Sequence, residues 1–234
     1  MLRAYLDDSG SDESVVLAIG GGISSSANWQ TFERELGAFL ASHGLQTLHM
    51  CELKWDGNDH EPIIRGAVSL VDQFVDGYVG CSVRSAHPDL RRYHDAGLAC
   101  VEAVIDLVEE QWPDEQVEIV IEQTKGLTGT VVSTIKDAIR HKVGQEAWNR
   151  VSDIRTETKN ILALGAADLI AYTYRMLAET DRERIQSLPR LKQWALRELQ
   201  KKSATRFTSA SGMEDELTYT FTLPDQPVND ETAP

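Results

Sequence analysis

The sequence predicts an α/β protein in which a mixed sheet opens with an antiparallel hairpin and is covered by helices. Three observations lead there. Two apolar runs, residues 2–6 and 15–23, are separated only by the turn-forming stretch around SGSDES, which suits an antiparallel connection. Later strand-like runs at 78–84, 117–122 and 150–157 alternate with segments whose apolar residues recur at helical spacing. Strands paired first as a hairpin and then interleaved with helices are the pattern of a mixed sheet with helical cover.

Taken in order, LRAYL (2–6) forms the first strand and VVLAIGGGI (15–23) the second. Residues 28–42 place Trp29, Phe32, Leu36, Phe39 and Leu40 on one side of a helix. GLQTLHMCELK (44–54) reads as a short strand or an extended lead-in to a loop. A helix over 61–75 precedes the strand at 78–84, which Asp76-Gly77 bounds. A long helix covers 90–110 and stops at Gln111-Trp112-Pro113. VEIVIE (117–122) is the clearest strand, rich in β-branched residues and followed by QTKGLTG. A helix at 130–140, a strand at 150–157 and a strongly apolar helix at 161–177 complete a domain over 1–180. Residues 181–223 read as a basic C-terminal extension packed on that domain, with a helix and a candidate strand pair at 206–210 and 217–223. The tail 224–234, PDQPVNDETAP, is polar and proline-containing and is expected to be disordered.

At 234 residues, with 41% hydrophobic and 26% charged content, the chain suffices for one domain with a substantial core. No apolar stretch is long enough to span a bilayer and no basic-then-apolar leader opens the chain, so no membrane partner and a cytoplasmic location are expected. Cys51, Cys81 and Cys100 are odd in number and lack C-x-x-C spacing, which argues against a disulfide framework or a zinc site. A net charge of −14 repels nucleic acid unless basic groups are concentrated or cations intervene. Residues 181–206 run against that trend, with eight Lys/Arg to three Asp/Glu. They read either as a solvated helix face or as a polyanion contact around Trp194.

Acids stand where apolar elements should not tolerate them. Asp7 and Asp8 end the first strand, Glu122 ends VEIVIE, and Asp168 lies inside the apolar helix segment GAADLIAY. A buried carboxylate needs a partner, and a hard divalent cation, Mg²⁺ or Mn²⁺, is one that lets several carboxylates converge. Carboxylates from strand ends and a helix, distant in sequence, are what a two-metal phosphodiesterase site requires. Each also has a structural reading: Asp7 and Asp8 as turn acids, Glu122 as a surface residue, Asp168 as the partner of Arg175, Lys159 or a backbone donor. In LHMCELK, His49, Glu52 and Lys54 add a proton carrier, a further ligand and a charge stabiliser, although His49 also reads as a structural histidine. The glycines of AIGGGIS match no phosphate-loop spacing and fit a bent strand or a close backbone approach better.

Together, YLDDSG, LHMCELK, IVIEQTKG and ALGAADLIAY resemble the prokaryotic and phage domain-of-unknown-function 3800 family. The similarity runs from about residue 2 to residue 177, and its opening and closing motifs are the specific ones. The resemblance implies a ribonuclease H-like fold and metal-dependent nuclease chemistry. It assigns Asp7 and Asp8 to the first-strand acids, His49 and Glu52 to the His-acid pair, Glu122 to the acid closing a later strand and Asp168 to the helical acid. Two positions depart from the pattern: Asp8 replaces a Glu, and Gly165 replaces a Gln.

The expected function is therefore cleavage of nucleic acid, DNA or RNA, by a Mg²⁺- or Mn²⁺-dependent phosphodiesterase. Asp7, Asp8, Glu122 and Asp168 are the expected metal ligands, and His49, Glu52 and Lys54 assist. The alternative is a nucleic-acid or protein binding module of phage or prokaryotic defence type that keeps the fold without turnover. A third reading, an acidic protein that mimics nucleic acid, rests on net charge alone.

Overall fold

The computed structural model describes residues 1–10, 14–55, 59–84, 91–180, 188–200 and 217–219. The expected strand at 206–210, the tail at 224–234 and half of the basic stretch 181–206 lie outside the described residues.

Strands β1 (Leu2–Ser9), β2 (Val16–Ser25), β3 (Gly77–Arg84), β4 (Val117–Glu122), β5 (Val151–Glu157) and the short β6 (Leu217–Tyr219) form one sheet, in the order β5-β4-β1-β2-β3-β6. β1 pairs antiparallel with β2, and β2 with β3, whereas β1-β4 and β4-β5 are parallel. This is the mixed α/β sheet with an antiparallel N-terminal hairpin that the sequence predicts. Among the described residues seven α-helices flank it: α1 (Ser26–Ser42), α2 (Glu61–Phe74), α3 (Arg91–Gln111), α4 (Gly129–Lys142), α5 (Gly144–Trp148), α6 (Ala163–Glu179) and α7 (Arg190–Gln200). No helix among the described residues is long and apolar enough to cross a membrane.

Side-chain alternation along the strands divides the interior into two cores. Leu2, Ala4 and Leu6 of β1 and Ile119 and Ile121 of β4 face one layer, packed with Val104 of α3 and Ile135 of α4. Tyr5 and Val120 face the other, with Trp29 of α1, Val68 of α2 and Ile170 of α6. The same alternation places Asp7 on the face of Tyr5 and Glu122 on the face of Val120, both toward α6.

The Gly20-Gly21-Gly22 run of β2 is a close approach of backbones. A Cβ on Gly20 would lie 3.0 Å from the Ala171 Cα, and one on Gly21 only 1.8 Å from the Tyr5 carbonyl oxygen. Across the next strand, a Cβ on Gly80 would enter the Tyr174 ring at 2.2 Å. Helix α6 therefore lies almost directly on the sheet, which explains why apolar residues surround it on nearly every side. Helix α7 joins the same core through Leu191, Ala195 and Leu199, and the Arg65 guanidinium sits 4.6 Å from the Trp194 ring centre.

Several boundaries differ from those predicted. β1 runs to Ser9 rather than stopping at Leu6, so Asp7 and Asp8 are strand residues, opposite Gly20 and Ile19, and not turn acids. Helix α1 begins at Ser26 because the Ser25 hydroxyl accepts the Asn28 N–H and caps it. Residues 44–54 form no strand; a single 3₁₀ turn, Met50–Glu52, is their regular part. The short helix α5 has no periodicity long enough to predict.

Candidate active site at the ends of three parallel strands

β1, β4 and β5 run parallel, so their C-terminal ends lie side by side, the position where open α/β sheets collect functional groups. Asp7 and Glu122 come from two of those ends. The register pairs Leu6 with Ile121, and continuing it one residue sets Asp7 beside Glu122. Asp168 descends on them from α6, seated by the Gly20–Ala171 approach described above.

The three carboxylates converge on one ammonium. Lys159, two residues beyond β5, places its Nζ 3.5 Å from Glu122 Oε1, 3.7 Å from Asp168 Oδ2 and 3.8 Å from Asp7 Oδ2. Asp168 Oδ2 also accepts the Met50 N–H at 3.0 Å and lies 3.8 Å from His49 Nδ1. Asp7 Oδ1 accepts the Asp8 N–H at 2.7 Å. Asp7, Glu122 and Asp168 are 1%, 5% and 7% exposed, so water screens them little. Three of the buried carboxylate oxygens, Asp7 Oδ2, Asp8 Oδ1 and Glu122 Oε2, have no hydrogen-bond partner among the described residues.

The neighbouring ion pairs make the deficit of positive charge plain. Four residues before Glu122 on the same strand, Glu118 receives Arg3 Nε at 2.6 Å and Arg155 Nε at 2.7 Å, and Arg155 also pairs with Glu157. Those arginines help to hold the Glu118 carboxyl below its ordinary pKa, against the opposing effect of its burial. Among the described residues no guanidinium forms an ion pair with the inner acids. Burial, then the Asp168 and Glu122 charges, push the Asp7 carboxyl well above the ordinary range, with Glu122 placed to share its proton. Burial pushes Asp8 up to about 6, against a hydrogen bond from Thr124. Burial likewise raises Asp168, although Lys159, the Met50 N–H and His49 oppose it. Desolvation alone would lower the Lys159 pKa; the three carboxylates outweigh it and raise that pKa.

These shifts fix the sign of a pH effect. A folded state that holds protons the unfolded chain has released loses stability as pH rises through the folded pKa values. The Asp8 contribution is complete below about pH 4 and is lost by about pH 6, with Asp7 extending the loss upward. Thermal melts in chelator should therefore show a falling melting temperature from pH 5 to pH 8; a flat or rising profile would contradict the charge deficit.

His49 is thus the member of LHMCELK whose side chain reaches the cluster, and the Met50 backbone comes with it. Glu52 and Lys54 are exposed and make no ion pair with another described residue; Lys54 donates its backbone N–H to His60 Nδ1. Gly165 has a packing role: a Cβ there would lie 3.1 Å from Leu48 Cβ, so the glycine admits the loop that delivers Met50. Arg175, one of the anticipated partners of Asp168, instead pairs with Glu179.

Among the described residues no group of three or more His, Cys, Asp and Glu side chains is placed, as it stands, to hold a metal ion. The ammonium stands between the acids. An all-oxygen donor set with three buried oxygens that accept no hydrogen bond nevertheless suits a hard divalent cation, which would supply the missing charge. No family model matches the chain, and no curated protein matches it in sequence.

Proposed function

We propose that the protein is a divalent-metal-dependent phosphodiesterase that cleaves nucleic acid, in keeping with the resemblance to the domain-of-unknown-function 3800 family. The observation that carries this reading is the convergence of Asp7, Glu122 and Asp168 on one point, with buried oxygens left unpaired. Asp7, Glu122 and Asp168 would hold Mg²⁺ or Mn²⁺, with Asp8 at the margin. A divalent ion bound there supplies Lewis-acid activation of water and stabilisation of the leaving oxygen.

The chain's own groups divide the remaining work. The Met50 N–H fixes the Asp168 carboxylate, and the seating of α6 fixes its height above the sheet. His49, whose side chain is 24% exposed, lies between Asp168 and solvent and can carry a proton to or from the reacting phosphate. Arg190, Lys192 and Arg197 of α7 offer basic groups for a polyanion on a chain that is otherwise acidic.

The non-catalytic binding module keeps one observation in its favour: Lys159 already offsets part of the acid charge. Assays on single- and double-stranded DNA and RNA with Mg²⁺ or Mn²⁺ separate the two. Cleavage should stop in chelator and fall about 10³-fold, roughly 4 kcal/mol of transition-state stabilisation, in Asp168→Asn. Chelator-insensitive cleavage, or full activity in that variant, would count against the enzyme.

A further inference from the structure

We propose that Lys159 permanently fills one of the two cation positions, so that the site takes up one divalent ion and works as a metal-plus-lysine pair. This rests on the phosphodiesterase reading above and adds to it the identity of the second cation. In a two-metal site the ions stand about 3.5–4 Å apart and share a bridging carboxylate. Here the Lys159 ammonium lies 3.5, 3.7 and 3.8 Å from carboxylates of three separate elements, the place a shared cation would take.

Glu122 is built as the bridge. Its Oε1 faces the ammonium while its Oε2 is buried without a hydrogen-bond partner. A divalent ion on the side of Glu122 away from the lysine, where Oε2 is buried without a hydrogen-bond partner, would complete the pair without displacing it. Asp168 turns Oδ2 to the ammonium and to the Met50 N–H, and the backbone contact of α6 with Gly20 fixes its place, which leaves Oδ1 for the ion. Arg155, the guanidinium of β5, is taken by Glu118 and Glu157 and is not placed to relieve Lys159. With its side chain one-third exposed, Lys159 also reaches the solvent side, where a phosphate oxygen would approach.

The test is the number of Mn²⁺ ions bound by the full chain without substrate, by calorimetry with MnCl₂ alone and by native mass spectrometry. One ion is expected for the parent and for Lys159→Arg, and two for Lys159→Met. Two ions on the parent, or one on a Lys159→Met protein with parental circular dichroism, would overturn the lysine's role and leave the nuclease reading intact. No bound ion on any of the three would remove both. If Lys159→Met does not fold, the parent count decides together with Lys159→Arg: one ion on each supports the pair, and two on either overturns it.

Discussion

In chelator at pH 8, Asp7→Asn should melt above the parent protein, and with Mn²⁺ present it should show no cleavage. The two halves share a cause. Asp7 is 1% exposed, and its carboxylate is raised by burial and by two neighbouring acids. An asparagine keeps the oxygen that accepts the Asp8 N–H at 2.7 Å and gives Glu122 a donor in place of a repelling charge. Removing a buried charge of this kind is worth on the order of 1–3 kcal/mol, or several degrees in a protein of this size. The same change takes a carboxylate from the proposed metal site, so a melting-temperature rise expected from Mn²⁺ in the parent should vanish, and activity should drop by about 10³-fold or more. Differential scanning calorimetry with and without Mn²⁺ reads the first half, and a nuclease assay the second. A variant less stable than the parent in chelator would mean that the acids are satisfied as they stand.

Lys159→Ala should act in the opposite direction. It removes the ammonium that three buried carboxylates share. Losing one partner of a buried ion pair costs about 3–5 kcal/mol; with Lys159 one-third exposed, roughly 2–3 kcal/mol is expected at pH 8. The loss should shrink at pH 5, where the raised carboxyls hold protons, and millimolar Mn²⁺ should restore most of it. Urea melts at both pH values, repeated with Mn²⁺, measure this. A loss equal at pH 5 and pH 8, or one that Mn²⁺ leaves unchanged, would show that the lysine matters for packing and not for charge.

The sheet and the acids were largely legible in the sequence, for different reasons. β1, β2 and β4 announce themselves because apolar runs, β-branched in β2 and β4, end at turn formers or acids, and the short link between the first two leaves one pairing sense. Asp7, Glu122 and Asp168 stand out because each contrasts with apolar neighbours. Their meeting was not legible: it depends on the β1-β4 register and on how closely α6 lies on Gly20, neither of which leaves a local mark. Lys159 was harder still. It sits in the polar stretch TETKN, where a lysine contrasts with nothing, and it entered only as one pairing option for Asp168. Its position just past a strand parallel to β1 and β4 is the signal that could have found it. Glu52 and Lys54 show the converse: closeness to His49 along the chain does not carry them to the cluster, because the 3₁₀ turn at Met50–Glu52 leaves both exposed.

The order of these groups along the polypeptide has a consequence during synthesis. Asp7 leaves the ribosome first and Glu122 much later, while Lys159 and Asp168 arrive only when the domain is nearly complete. A nascent chain that has paired β1 with β4 thus holds two adjacent acids with no counter-charge until Lys159 emerges. Any fragment ending before α6 lacks both Asp168 and the helix that sets it in place. On the phosphodiesterase reading, the site would therefore be completed only with the last part of the fold.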